Sequence, residues 1–304
     1  MGLNMQSNTF SKDTRLGMVG LGIMGAPIVE RLREQGFEVT VWNLEPERFD
    51  KVKASGAKWA ESPAKVWQNS DVVLVCVLGD AAIESVCFGD TGFANAKQGA
   101  SLLVDLSTTS PEVTVKLAAR LKDEMGADWI DAPMSGGPQP ARQGELTLMI
   151  GGDEKVCAAS EPLLRKIGQN VTRMGELGNG QKTKILNQAI VGANYILMAE
   201  LLATCRAAGI DPDLLPVCLK GGLADSAILQ RIYTQMSAED FDPPRSYVRQ
   251  VNKDLKAVAH FVEELGLDLP LLELAVRQYG RYADAGNDMQ DGASVSRLYQ
   301  DKSS

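Results

Sequence analysis

The chain has 304 residues, 44% hydrophobic and 23% charged, enough apolar material to bury the cores of two medium globular domains. Its net charge of −8, with no basic block, excludes nucleic acid as an expected partner and offers nothing to hold an anionic membrane surface. Cys76, Cys87, Cys157, Cys205 and Cys218 are scattered and never in a CxxC spacing, which excludes a disulfide framework and a structural zinc site.

Residues 1–13 are polar, lack an apolar signal core and are expected to form a flexible tail. No uninterrupted apolar run in the chain approaches the ~20 residues that span a bilayer, so a cytoplasmic protein with no membrane partner is expected. At 16–19 an apolar run leads into Gly20-Leu21-Gly22-Ile23-Met24-Gly25, and the amphipathic stretch 26–35 follows, giving strand, glycine-rich turn and helix. In that context the first glycine permits the tight turn, the second lets backbone approach a pyrophosphate, and the third lets helix pack on strand. The free N–H groups and positive dipole end of the helix then face the phosphates. These six residues are the expected cofactor loop.

Further β-rich runs at 38–42, 71–77, 102–106, 129–132 and 146–150 alternate with helical patterns at 63–68, 80–86, 111–124 and 154–167. Such alternation builds βαβ units around a mostly parallel sheet, and the fully apolar run 72–77 suits a strand covered on both faces. After about residue 175 the β signal stops, and helical patterns take over at 181–208, 212–220, 224–236, 248–265 and 270–285. The expected fold is therefore α/β: a Rossmann-type, doubly wound parallel sheet over 14–175, then an all-α domain over 176–304 for substrate binding and oligomerisation. Apolar faces such as Ile190, Ala193 and Leu197 are expected to bury a domain or subunit interface.

The ribose acceptor of a dinucleotide fold lies at the end of the second strand, where this chain has Trp42-Asn43-Leu44-Glu45. Asn43 neither attracts a 2′-hydroxyl as a carboxylate would nor repels a 2′-phosphate, and Leu44 supplies no cation. Arg48, a turn away, suits a 2′-phosphate while Glu45 opposes one, so NAD and NADP both stay open. Farther on, the run from Asp131 through Ser135, Gly136 and Gly137 follows a strand and ends in two glycines, which suits an anion nest for a substrate carboxylate. The same residues also suit an ordinary Ser-Gly-Gly turn. Gly178-Asn179-Gly180 opens a helix on which Lys184, Asn187 and Gln188 share a face. A lysine near the positive end of a helix dipole needs a partner or a purpose, or else it is simply a solvated surface residue. The lone His260 lies in a helical stretch without a metal-ligand grouping, and no metal is expected.

The order GLGIMG, DLSTTSP at 105–111, DAPMSGGPQPARQGELTLMIGG, GNGQKTKILNQ and Lys253-Asp254-Leu255 resembles the β-hydroxyacid dehydrogenase family, which includes 3-hydroxyisobutyrate dehydrogenase and tartronate semialdehyde (2-hydroxy-3-oxopropionate) reductase. The resemblance runs from about residue 15 to the Asp291-Gly292-Ala293-Ser294 stretch. It implies an NAD- or NADP-dependent oxidoreductase interconverting a short 2- or 3-hydroxy acid and its semialdehyde or oxo acid. It also implies Lys184 as general acid/base, Ser135, Gly136 and Gly137 around the substrate carboxylate, and Thr108 and Lys253 beside the nicotinamide half of the cofactor. Leu78 falls at a cofactor-facing position, although the family's Met-Leu-Pro reads Val77-Leu78-Gly79 here. The pair Asn187-Gln188 is similar to that of tartronate semialdehyde reductases. The stretch containing Arg245 departs from the family's Phe-x-Pro-Gly-Phe-Arg, and Arg245 is left outside the expected site. A homodimer or homotetramer is implied. Reduction of aldehydes or imines lacking a carboxylate, or a non-catalytic nucleotide-binding scaffold, are the competing expectations.

Overall fold

The computed structural model describes residues 13–300, so the tail expected at 1–13 lies, apart from Asp13, outside the described residues. The chain forms two compact units that divide between Lys184 and Ile185. In the first, the strands are β1 (Arg15–Val19), β2 (Glu38–Trp42), β3 (Lys58–Trp59), β4 (Val72–Val75), β5 (Leu102–Asp105), β6 (Asp128–Asp131), β7 (Met134–Ser135), β8 (Leu146–Gly151) and β9 (Gly168–Gly175). Its helices are α1 (Gly25–Glu34), α2 (Asp50–Lys53), α3 (Pro63–Gln68), α4 (Asp80–Phe88), α5 (Pro111–Met125), α6 (Pro138–Gln143) and α7 (Glu154–Leu164). The order β3-β2-β1-β4-β5-β6 is parallel throughout, β8 joins β6 antiparallel, and β8 in turn pairs β7 antiparallel and β9 parallel.

Because successive strand residues point to opposite faces, each central strand feeds two cores. Val72 and Leu74 of β4 join Leu16, Met18, Ile28 and Leu32 on one face, whereas Val73 and Val75 join Val66, Ile83 and Leu117 on the other. A side chain is excluded at Gly17 of β1: a Cβ there would sit 2.6 Å from Val66, so α3 lies directly on the strand. This is the doubly wound Rossmann-type sheet that the alternation implies. The two-residue strands β3 and β7 and the strand β9 add to the expected set, and the antiparallel pairing at one edge makes the sheet mostly rather than wholly parallel.

The second unit is helical, with α8 (Asn179–Ala207) entering it at Ile185, followed by α9 (Leu214–Leu219), α10 (Thr234–Ser237), α11 (Val248–Glu264) and α12 (Pro270–Tyr282). The helix expected at 224–236 is present, with a π-helical stretch, Leu229–Tyr233, running into α10. Tyr195, Ile196, Ala199 and Leu202 of α8 pack with Tyr233, Leu255 and Tyr279. A Cβ at Gly192 would sit 2.4 Å from Leu255, which fixes how closely α8 and α11 cross. Polar residues interrupt α8 at Asn187, Gln188, Asn194 and Glu200, yet one 18-residue window averages a hydropathy of 1.4, so by length and composition it is long enough to cross a bilayer. Its opposite edge leaves Leu186, Ile190 and Leu197 exposed, while Ala193 packs against the core.

Candidate functional site

The glycine loop starts where β1 ends. Gly20 has φ +100, and a Cβ there would meet the Cys76 carbonyl oxygen at 2.1 Å; one at Gly25 would meet the Gly20 carbonyl oxygen at 1.9 Å. Gly22 has no atom within 4 Å of a Cβ position, so the loop leaves open space at the glycine whose backbone approaches a pyrophosphate. No side chain caps the start of α1, and its first turn holds no acidic residue, which keeps its positive end available to phosphates. The residues present fit a dinucleotide. Leu21 is buried in the first core, Ile23 is exposed, and Met24 packs partly against the core at the helix N-cap. The buried Asn43 accepts the Leu21 N–H through Oδ1 at 2.7 Å and donates through Nδ2 to the Glu45 carbonyl and carboxylate oxygens at 3.1 and 2.7 Å. Its amide therefore ties the loop to the end of β2. Leu44 beside it is exposed.

At the ends of β4 and β5, Leu78 stands exposed, and Ser107 Oγ accepts the Val77 N–H at 3.0 Å. Thr108 sits partly exposed between two pinned neighbours. Ser107 N–H donates to Asp105 Oδ1 at 2.9 Å, Thr109 N–H donates to Gln181 Oε1 at 3.2 Å, and Gln181 Nε2 donates to the Ser107 carbonyl at 2.9 Å. Gln181 is fully buried and sets the loop that presents Thr108.

Asp131, at the end of β6, accepts the Gly178 and Gln181 N–H groups, both at 2.8 Å, and so caps the start of α8 from 47 and 50 residues away. A Cβ at Gly180 would sit 2.6 Å from Asp131 Oδ2, which explains the glycine there. Lys184, one turn on, is 8% exposed, and its Nζ donates to the Met134 carbonyl at 2.9 Å. A solvated surface lysine is thereby set aside for Lys184; Lys182, two residues earlier, is the exposed one. Ser135 follows Met134 in β7 and is partly exposed, and Gly136 and Gly137 have φ +143 and +95, conformations that favour glycine. A Cβ at Gly137 would meet nothing within 4 Å. The amine, the serine hydroxyl and the glycine backbone thus converge on one short segment.

Asp105 and Asp131 are register partners across β5 and β6, and both are fully buried. Burial pushes the Asp105 carboxyl up to about 7, against lowering hydrogen bonds from Ser107, and the Asp131 charge adds to the rise. Burial also raises Asp131, opposed by the backbone donors of Gly178 and Gln181.

Within the second unit, Asn187 Nδ2 donates to Gln188 Oε1 at 2.8 Å, and Gln188 Nε2 donates to Asp254 Oδ2. Lys253, largely exposed, pairs with the same carboxylate at 3.4 Å. Arg245 is ion-paired with Asp240 and its N–H donates to the buried Asp291 at 2.6 Å. His260 is exposed beside Glu264. Asp131, Gln181 and Asp254 are functional candidates that pattern reading did not assign, although each lies inside a motif that it had singled out.

Residues 15–175 match the family described as the NAD binding domain of 6-phosphogluconate dehydrogenase, and residues 178–299 that described as NAD-binding of NADP-dependent 3-hydroxyisobutyrate dehydrogenase. The chain is 34% identical over 281 residues to 2-hydroxy-3-oxopropionate reductase of Escherichia coli K12, covering 92% of this chain and 95% of that one. The crystal structure of 3-hydroxyisobutyrate dehydrogenase from Salmonella typhimurium superposes with a TM-score of 0.84 at 29% identity, covering 94% of this chain and 100% of that chain. The Mycobacterium tuberculosis 3-hydroxyisobutyrate dehydrogenase with L-serine gives 0.84 at 25% identity, covering 95% and 100%. A dinucleotide-binding sheet followed by a helical unit defines this as an NAD(P)-dependent oxidoreductase. More particularly, the chain belongs to the β-hydroxyacid dehydrogenase family, whose substrates are small hydroxy acids and semialdehydes.

Proposed function

We propose that this dehydrogenase reduces a short semialdehyde bearing a carboxylate, of the 2-hydroxy-3-oxopropionate or 3-hydroxyisobutyrate-derived kind, with Lys184 as the general acid/base. The observation that carries the reading is the buried Lys184 amine held 2.9 Å from the Met134 carbonyl, next to Ser135, Gly136 and Gly137. When bound, the nicotinamide supplies or receives the hydride. Lys184 gives its proton to the substrate oxygen as charge develops there, and takes it back in the oxidation. The Met134 carbonyl fixes where that amine points. The Ser135 hydroxyl and the N–H groups of Gly136 and Gly137 bind the carboxylate, and Thr108 borders the nicotinamide side from the loop that Gln181 holds. Within the second unit, Asn187 and Gln188 are the amides assigned to substrate binding, with Gln188 oriented by Asp254 and Asp254 paired with Lys253.

A cytoplasmic enzyme accords with five free cysteines, three of them buried. The exposed row Leu186, Ile190 and Leu197 on α8 supports a homodimer or homotetramer that covers it. The test of the substrate reading is initial-rate reduction of tartronate semialdehyde, succinic semialdehyde, glyoxylate and methylmalonate semialdehyde, beside carboxylate-free aldehydes of the same length. One carboxylate-bearing substrate is expected to exceed the carboxylate-free set by at least ~100-fold in kcat/KM, since an unfilled polar site rejects strongly. Equal rates with and without the carboxylate would remove the role given to Ser135, Gly136 and Gly137.

A further inference from the structure

We infer that Glu45 makes this enzyme selective for NAD(H) over NADP(H), with Asn43 and Arg48 holding its carboxylate in place. The inference deepens the cofactor reading and rests on the glycine loop being a dinucleotide site. Parallel pairing of β1 with β2 sets the end of β2 beside that loop, and the Gly20 N–H donates to the Trp42 carbonyl at 2.9 Å. In a fold of this kind the residues at that strand end face the adenosine ribose, where the two cofactors differ by a 2′-hydroxyl or a 2′-phosphate.

Asn43 has both ends of its amide engaged, Oδ1 by the Leu21 N–H and Nδ2 by Glu45, so it shapes the loop and leaves the ribose to its neighbours. Leu44, 77% exposed, offers neither charge nor hydrogen bond. Arg48 is the one cation between residues 43 and 50, against Glu45, Glu47 and Asp50, and its Nε lies 3.4 Å from Glu45 Oε2. The same Oε2 takes the Asn43 amide at 2.7 Å. The Glu45 side chain is nonetheless 49% exposed, so its carboxylate stays accessible at the tip of the strand. A 2′-hydroxyl can donate to such a carboxylate. A 2′-phosphate meets a like charge and finds the nearby guanidinium already paired, and the next cations, Lys51 and Lys53, lie on α2.

The experiment is a fluorescence titration of NADH and of NADPH into the full-length protein, free of substrate, for the wild type, Glu45→Gln and Arg48→Ala. The wild type is expected to bind NADH at least about tenfold more tightly than NADPH, and the gap to narrow as salt is raised. In Glu45→Gln the repulsion goes and Arg48 is released, so NADPH is expected to tighten by about tenfold while NADH weakens a few-fold. In Arg48→Ala the preference for NADH is expected to persist. The inference is overturned by a wild type that binds NADPH as tightly as NADH, by a Glu45→Gln protein with an unchanged ratio, or by an Arg48→Ala protein that loses the preference for NADH. A wild type that binds neither nucleotide overturns the cofactor reading itself, a result distinct from binding both equally.

Discussion

In the sheet unit, Lys184 ends on a backbone carbonyl and the start of its helix is capped by Asp131, a carboxylate with no exposure at all; in the helical unit, Gln188 ends on Asp254, a partly exposed carboxylate shared with a solvent-facing Lys253. The first arrangement is fixed by buried groups that would be costly to leave unpaired. The second consists of side-chain amides and ions with solvent at their edge, where exchanging one group for another costs little. On the proposed reading, cofactor and proton are handled by the buried arrangement, and discrimination among substrates falls to the more exposed one.

If that contrast holds, removing a buried anchor should damage stability, while removing the exposed one should touch only the substrate. Asp131→Ala strips two N–H groups at the start of α8 of their acceptor and is expected to destabilise the protein by ~3 kcal/mol, read from chemical denaturation. A loss within the scatter of surface substitutions would place the anchor elsewhere.

A pH titration of stability sharpens the same point. The Asp105 carboxyl is raised from 3.8 to about 7, so between those values the folded state keeps a proton that the unfolded chain has released. Stability is therefore expected to fall as pH rises through this window and to level off above it. Asp105→Asn should flatten the slope, leaving the smaller part contributed by Asp131, whose shift has the same sign. Parallel wild-type and variant curves would show that Asp105 is not the source. At the other end of the scale, Asp254→Asn is expected to raise the KM for the carboxylic substrate roughly three- to tenfold with stability changed by less than ~0.5 kcal/mol. A melting loss as large as that of Asp131→Ala would erase the contrast between the two units.

How much of this was legible in the sequence follows the range over which each feature acts. The cofactor loop and the helix after it are local, and α1 (Gly25–Glu34) matches the amphipathic stretch 26–35 to within one residue at each end. Strand β2 coincides with the run at 38–42. The two-residue strands β3 and β7 are too short to carry a period, and β9 is mostly exposed, so it lacks the apolar alternation that marks a strand. Lys184 was marked by the family resemblance, since its place near a helix start also suited a solvated surface lysine. Asp131, Gln181 and Asp254 did not stand out, since their partners lie 47 to 74 residues away and only the folded sheet or helix pair brings them together. Asn43 was legible as a residue at the ribose end of β2, but its engagement with Leu21 and Glu45 was not.

On the proposed reading, the buried Lys184 amine moves the proton while the glycine loop independently holds the cofactor. The most direct measurement is steady-state turnover of Lys184→Ala with its best substrate, paired with a cofactor titration of the same preparation. Turnover should fall by at least ~1,000-fold with cofactor affinity within a few-fold of wild type. Turnover reduced by less than tenfold, with the cofactor still bound, would mean that another group carries the proton.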